Sequence, residues 1–525
     1  MPTLTPTSEP QAHADAPLDV AALTQLANRF FAALPGEGSP LPPGLAPSRP
    51  SAPPVTPPAT PLGALGILPS VAGRPVQASH GLHQPTAPQP SATPQYYFLS
   101  ETGGGFPPAI RTPLPSLASP GFDLHAVRRD FPILQERVQG RPLVWFDNAA
   151  TTQKPQAVID RLAWFYQHEN SNIHRAAHAL AARATDAYED ARNTVRRFIG
   201  AGSAEEIIFV RGATEGINLV ARTWGVQHIG AGDEIIVSHL EHHANIVPWQ
   251  QLAQERGATL KVIPVDDDGQ VQLDAYRSLL GPRTRLVAVT QVSNALGTVV
   301  PVQEIVALAH QAGAVTLVDA AQSVSHLRVN VAALDTDFLV FSGHKVFGPT
   351  GIGVVYGKRA LLETLPPWQG GGNMIADVTF ERTIYQGPPN RFEAGTGNIA
   401  DAVGLGEALR YVDRIGIEAI GAYEHALLAY ATEHLRAIPG VRLIGSAADK
   451  ASVLSFVLQG HDTAEVGQAL NREGIAVRTG HHCAQPILRR FGVEATVRPS
   501  LAFYNTCEEV DRFITVVQRL AATRH

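Results

Sequence analysis

The sequence predicts an α/β fold. It has a large domain around a mostly parallel sheet, a smaller α+β domain at the C-terminus, and a long proline-rich segment ahead of both. Three observations predict it. From about residue 200, short runs of β-forming residues alternate with helical stretches, the rhythm of βαβ units. From about residue 412 the pattern changes to one long helix followed by mixed strands and helices. Before Gly121 neither rhythm exists, and 26 of the 41 prolines fall there.

The first 120 residues carry only nine charged side chains, and the first lysine of the chain is Lys154. Stretches such as SPLPPGLAPSRPSAPPVTPPATP cannot fill helix or sheet interiors, because proline fixes φ and lacks the N–H donor. The prediction for 1–120 is a disordered, polyproline-like extension. Three apolar islands interrupt it. In LDVAALTQLANRFFAAL, Val20, Leu23, Ala27, Phe30, Phe31 and Leu34 approximate one helical face. LGALGILPS and QYYFLSE are the others. Such islands are expected to fold onto a partner surface; the alternatives are that they dock onto the chain's own catalytic domain or do nothing.

Asp123 is placed to cap a helix through DLHAVRRDF. WFDNAATTQKP reads as a strand and then a turn into a helix. Strands follow in IIFVR, DEIIVS, TLKVIPV, TRLVAVT, AVTLVD and FLVF, with helical stretches between them. IEAIGAYEHALLAYATEHLRAI is the long helix of the last part. The expected organisation is 1–120 as extension, 121–145 packing with the small domain, 146–411 as the large domain and 412–525 as the small one.

Hydrophobic residues make up 44% of the 525, enough for a large core. The formal charge of −6, with no basic run, argues against nucleic acid as a partner. Two cysteines exclude a disulfide framework and suit a reducing, cytoplasmic setting. The N-terminus lacks the basic and apolar regions of a signal peptide, and no apolar run is long enough to span a membrane.

Lys345 is the most informative residue. It follows the β-forming run Phe338–Phe341 through Ser342, Gly343 and His344, and a Gly/Pro-rich turn comes next. Upstream, the run AVTLVDAAQ ends in Asp319, with Gln322 one turn later. A strand-end aspartate and a later strand-end lysine suit pyridoxal phosphate (PLP): the lysine forms a Schiff base and the aspartate pairs with the pyridinium nitrogen. The other four lysines, Lys154, Lys261, Lys358 and Lys450, read as solvated surface residues.

GATEG, Gly212 to Gly216, joins a strand to a helix. Thr214 there is either an ordinary helix-start residue or, with Ser342 and His344, part of a phosphate cup. SHLEHHANIVPW holds His239, His242 and His243. No further ligand cluster at metal spacing accompanies them, so His242 reads better as a ring stacked on the cofactor. Cys483, in RTGHHCAQP, sits in a turn beside imidazoles and Arg478, a setting for a nucleophilic thiolate rather than an inert core thiol. Cys507 lies within the capping box Thr506–Glu509 and reads as structural. Arg498, in VRPSLAFYNT, is a surface ion pair or a bidentate clamp for an amino-acid carboxylate.

These motifs, together with SNIHRAAHALAARAT, PPWQGGGNMI and RFEAGTGN, resemble the SufS-like (group II) cysteine desulfurases of aminotransferase class V, enzymes of PLP-dependent fold type I. The likeness runs over about 121–525. It implies that Lys345 holds PLP and shuttles protons, with Asp319 stabilising the ring nitrogen. Gln322 and Asn294 address the ring oxygen or the substrate side. His242 stacks and transfers protons, and Thr214, Ser342 and His344 hold the phosphate. Thr396 completes that site from the partner subunit of a homodimer. Arg498 clamps the carboxylate of L-cysteine, and Asn294, His174 and Arg478 shape the substrate pocket. Cys483 takes the sulfur as a persulfide, leaving L-alanine, and a SufE/SufU-like acceptor is the implied recipient. No metal is implied.

Selenocysteine lyase uses the same constellation and is the alternative enzyme. A cargo or scaffold protein with incidental catalysis is the alternative of another class. Two positions depart from the family, Gly397 where proline is frequent and Pro499 where alanine is common. The extension also departs. It is similar to the proline-rich N-termini of desulfurases carried inside family 2 encapsulin shells, which implies a shell protein as partner and an encapsulin nanocompartment as location.

Overall fold

The computed structural model describes residues 122–174 and 178–523. The expectations for 1–120 therefore lie outside the described residues.

Seven strands build the central sheet: β1 (Ile207–Val210), β2 (Glu234–Ser238), β3 (Thr259–Ile263), β4 (Thr284–Thr290), β5 (Val315–Asp319), β6 (Phe338–Ser342) and β7 (Gly353–Gly357). Their order is β1-β7-β6-β5-β4-β2-β3. The pairs β2/β3, β2/β4, β4/β5 and β5/β6 are parallel, while β7 runs antiparallel to both β6 and β1. The mostly parallel sheet expected from the βαβ rhythm is present. Its antiparallel strand follows directly from the turn after Lys345, which is too short for a crossover helix.

The strands read as near-continuous apolar runs because both faces of the sheet are covered. Alternate residues go to opposite sides. Ile207, Phe209, Val287, Val289, Leu339 and Phe341 join one core, and Ile208, Val210, Leu286, Ala288, Phe338 and Val340 join the other. Each large side chain buried there stabilises the fold by about 1.5–3 kcal/mol. Helix α1 (Ala213–Val220) packs Ile217 and Val220 into the second core, and helix α2 (Ile399–Ile415) packs Val403, Leu405 and Leu409 into the first. Strand β3 lies at the sheet edge. Its Lys261 does not simply face solvent as the alternation suggested, because the amine meets the buried Glu234 carboxylate at 2.7 Å.

A four-stranded antiparallel sheet forms the C-terminal part: β8 (Val441–Ile444), β9 (Ser455–Leu458), β10 (Arg478–Gly480) and β11 (Thr496–Arg498), in the order β8-β9-β11-β10. The long helix expected there runs over Ile417–Arg436. Asp123 caps Leu124–Arg129 by accepting from the amides of His125 and Ala126. After it the chain crosses to the C-terminal part, where Val144–Trp145 pairs in parallel with Ile475–Ala476. It then turns through Asp147–Lys154 into the helix Gln156–His168. The described residues belong to one compact unit. Among them no helix is long and apolar enough to cross a membrane.

Candidate active site

The carboxyl ends of β2, β4, β5 and β6 open on a cavity of about 420 Å³, roofed by the turn after β10 and by β11. A parallel sheet gathers its ligand site at this edge.

Lys345 ends one helical turn after β6 and lines the cavity. The turn is pinned through the carbonyl of His344, which accepts from the Thr152 amide at 3.0 Å, the Thr151 hydroxyl at 3.0 Å and the Lys154 amine at 3.5 Å. Burial lowers the pKa of Lys345; Arg498 and Arg478 push the same way, while Asp319 and Cys483 oppose them. A neutral, nucleophilic amine is thereby favoured. Asp319, at the end of β5, accepts from the Ala321 amide at 2.9 Å. Burial raises its carboxyl, and the nearby Lys345 charge offsets part of the rise.

His242 lines the same cavity. Its Nδ1 accepts from the Ala244 amide at 3.0 Å, so the neutral ring carries its proton on Nε2. Burial pushes its pKa down to about 3. His344 is pushed down to about 4, again mainly by burial. Gln322 donates from Nε2 to the carbonyl of Ala149 at 2.7 Å.

The residues expected to hold a phosphate gather at the start of α1. The first-turn amides of a helix lack intrahelical acceptors. Ser342 Oγ takes the Ala213 amide at 2.9 Å, tying the end of β6 to this helix. Thr214 and His344 line the cavity beside it. Glycine is required by space at Gly353, and Gly212 is tightly packed. A Cβ at Gly212 would stand 3.1 Å from Ser342 Oγ, and one at Gly353 would stand 2.5 Å from Gly212 Cα.

Arg498 and Cys483 arrive from the C-terminal part. Arg498 donates from Nη1 to the Asn294 carbonyl at 2.8 Å and from Nη2 to Asp147 at 3.3 Å. Its Nε is buried without a partner. Arg478 sits opposite Arg498 on the paired strand, and Asp147 lies 3.6 Å from its Nε. Burial brings the Arg498 pKa down to about 10 and raises that of Asp147. Cys483 is exposed on the cavity side. Asn294 donates to the His482 carbonyl at 2.7 Å, and its buried Oδ1 has no partner.

The structure thus brings together Lys345, Asp319, Gln322, His242, Asn294, Thr214, Ser342, His344, Arg478, Arg498 and Cys483 around one cavity. Two residues of the expected set lie elsewhere in this chain. His174 pairs with Glu189 at 3.0 Å and Asn373 at 3.3 Å. Thr396 lines a separate recess with Tyr188 and Trp368.

Corrections concern the other lysines. Lys154 is not a solvated surface residue: burial brings it to about 8, and it serves the Lys345 turn. Lys450 is also largely buried, brought to about 8 by burial, with its amine on the Gly445 carbonyl at 2.7 Å. Lys358 bridges Asp335 and Asp337 at 2.7 and 3.1 Å. Cys507 stands in the first turn of Cys507–Ala522 behind its capping box, and burial pushes its thiol up to about 11.

The sequence reading missed two carboxylates. Asp147 lies between the two arginines, within 4 Å of a nitrogen of each. Glu241 is fully buried, accepting from Ser238 Oγ at 2.6 Å, Asn245 Nδ2 at 2.6 Å and the Thr290 amide at 3.1 Å. Its pKa is pushed up to about 8 by burial. Ser238, Glu241 and Asn245 at intervals of three and four were the available signal.

The residues fit PLP. A lowered-pKa lysine, a buried carboxylate, a neutral imidazole and the tightly packed start of a helix face one cavity. Lys345 would carry the group, Asp319 would meet its ring nitrogen, and Thr214, Ser342 and His344 would hold its phosphate.

Comparison with known proteins agrees. The aminotransferase class-V family matches residues 144–513. A cysteine desulfurase of Synechococcus elongatus is 60% identical over 508 residues, covering 92% of this chain and 79% of the relative. That alignment reaches into the first 121 residues. Probable cysteine desulfurase 1 of Mycobacterium leprae is 70% identical over 400 residues, 76% of this chain; the chain spans 66% of that relative's length. The solved apo structure of cysteine desulfurase from Thermococcus onnurineus superposes with a TM-score of 0.73 at 40% identity, covering 76% of this chain and 98% of that one.

Proposed function

This chain belongs to the aminotransferase class-V family, on the PLP-dependent fold type I, and stands among its cysteine desulfurases; from that premise we propose that it converts L-cysteine to L-alanine and leaves the sulfur as a persulfide on Cys483. The observation that carries the reading is the convergence of Lys345, Arg498 and Cys483 on one cavity. A simple aminotransferase has no use for the thiol.

PLP, when bound, supplies the electron sink for negative charge developing at the substrate Cα. Arg498 takes the substrate carboxylate, its unpartnered Nε supplying one donor. Lys345, with its amine free, removes the substrate Cα proton and returns it to Cα after the sulfur has left. Cys483, as thiolate, attacks the substrate sulfur. A Cys483 sulfur–sulfur bond forms and the substrate Cβ–S bond breaks, its electron pair passing to the carbon side. Protonation there gives the alanine methyl. His242, neutral with its proton on Nε2, is placed to move protons at the cavity wall.

We extend the reading to SufS-like group II character, to a homodimer and to a SufE/SufU-like acceptor. Support for the dimer comes from Thr396, which lies off the cavity, and from Phe380, fully exposed on the hairpin Ile375–Val378/Thr383–Tyr385. Support for an acceptor comes from the exposure of Cys483. The first 120 residues are read as a targeting segment for an encapsulin shell, on their composition. The division at 145/146 and 411/412 into N-terminal segment, large and small domains is kept as part of the proposal.

The test is incubation of the PLP-loaded protein with L-cysteine, without reductant, followed by mass spectrometry of the Cys483 peptide. One added sulfur is expected, with alanine formed in equal amount. Alanine without added sulfur on Cys483 contradicts the reading. Parallel rates on L-selenocysteine separate the lyase alternative.

A further inference from the structure

The turn that carries Cys483 is strained and is held from outside itself. Gly480, His482 and Cys483 have φ of +119°, +53° and +53°. Left-handed backbone at a non-glycine residue is disfavoured and persists only where surrounding contacts over-determine it. Inside the C-terminal part, His481 Nδ1 accepts from the Cys483 amide at 3.0 Å, and His482 Nε2 meets Thr496 Oγ1 at 2.8 Å.

The opposing contacts come from the segment after β2, and three of them belong to His243. Its amide donates to the Cys483 carbonyl at 2.8 Å. Its Nε2 accepts from the Gln485 amide at 3.4 Å. Its ring stacks on His481 with centroids 5.9 Å apart and planes 27° apart. His243 therefore grips the turn on both sides of the sulfur, while its neighbour His242 lines the cavity.

We propose that His243 is a positioning residue: its imidazole clamps the strained 481–485 turn, so that Cys483 is presented to the cavity in one conformation. The proposal rests on the desulfurase reading only in what the presented sulfur does. The main-chain bond to Cys483 does not involve the side chain at 243, so alanine and glutamine substitutions isolate the ring. His243→Ala removes acceptor and stacking face. His243→Gln keeps an acceptor at the reach of Nε2.

Hydrogen exchange is followed at the Cys483 and Gln485 amides of the PLP-loaded protein, alongside steady-state kinetics with L-cysteine. His243→Ala is expected to speed exchange at these amides about tenfold, the loss of one net hydrogen bond. It should lower kcat about tenfold while KM stays within about twofold, the pattern of a lost transition-state alignment. The visible spectrum of bound PLP should not change. His243→Gln should return Gln485 exchange toward the original rate. Unchanged exchange in His243→Ala overturns the proposal, and so does faster exchange with unchanged kcat. The exchange result needs no turnover, so it stands apart from any failure of the desulfurase reading.

Discussion

Arg498 gives Nη2 to Asp147 at 3.3 Å and keeps a buried Nε without an acceptor. Both terminal nitrogens of the guanidinium thus have partners in the protein, Nη1 on the Asn294 carbonyl and Nη2 on Asp147, and the Nε–H is left for a ligand, since buried donors are otherwise paired. Arg498→Lys keeps the charge but loses the planar fork. We expect KM for L-cysteine to rise about tenfold or more, in line with roughly 1.5–3 kcal/mol for a charge-assisted hydrogen bond. Steady-state kinetics over a wide cysteine range checks this.

Acid should destabilise the fold through its buried rings. His242 and His482 are held down to about 3 and about 2, mainly by burial. Above pH 6.5 both are neutral, folded or unfolded. As pH falls below 6.5, the unfolded chain binds protons that the folded rings refuse, and stability is lost down to the folded pKa values. Each ring should contribute a loss of about 1.4 kcal/mol per pH unit in that window. Urea unfolding at several pH values, with His482→Gln as comparison, reads the slope. The variant should be the flatter by one ring's share.

Lys450 is a buried amine with a single carbonyl partner. Replacing such a group by an apolar side chain of similar length removes a desolvation penalty. Lys450→Met should gain about 1 kcal/mol at neutral pH. The sign reverses toward alkali. Between about 8 and 10.5 the unfolded lysine holds its proton and the folded one does not, so the parent gains stability with rising pH and the variant does not. Melting temperatures of both proteins from pH 7 to 10 check it.

Removing residues 1–110 should leave kcat/KM within about twofold, because the catalytic groups among the described residues come from the stretch Ala149 to Arg498. Any association with a shell protein should disappear. Kinetics and co-purification of the shortened chain read the two effects separately.

The sheet was legible in the sequence because strands buried on both faces are nearly continuous apolar runs, and those runs end at Ser238, Asp319 and Ser342. Lys345 and Asp319 could be paired because each closes such a run, and β5 and β6 are neighbours. Burial of Lys154 and Lys450 could not be read. Both sit in polar local sequence, which gives no sign of burial. The Lys154 amine meets the His344 carbonyl, 190 residues on. Asp147 escaped for the same reason: its role depends on Arg478 and Arg498 being cross-strand neighbours. His243 was visible only as one of three histidines, because nothing local announces its contact with Gln485.

The central claim is that Cys483 takes the sulfur in a cavity whose cofactor chemistry rests on Lys345. Alanine formation from L-cysteine by PLP-loaded Cys483→Ala tests it most directly. The expected result is an unchanged visible spectrum of bound PLP and no turnover to alanine and sulfide. Full turnover by that variant contradicts the account.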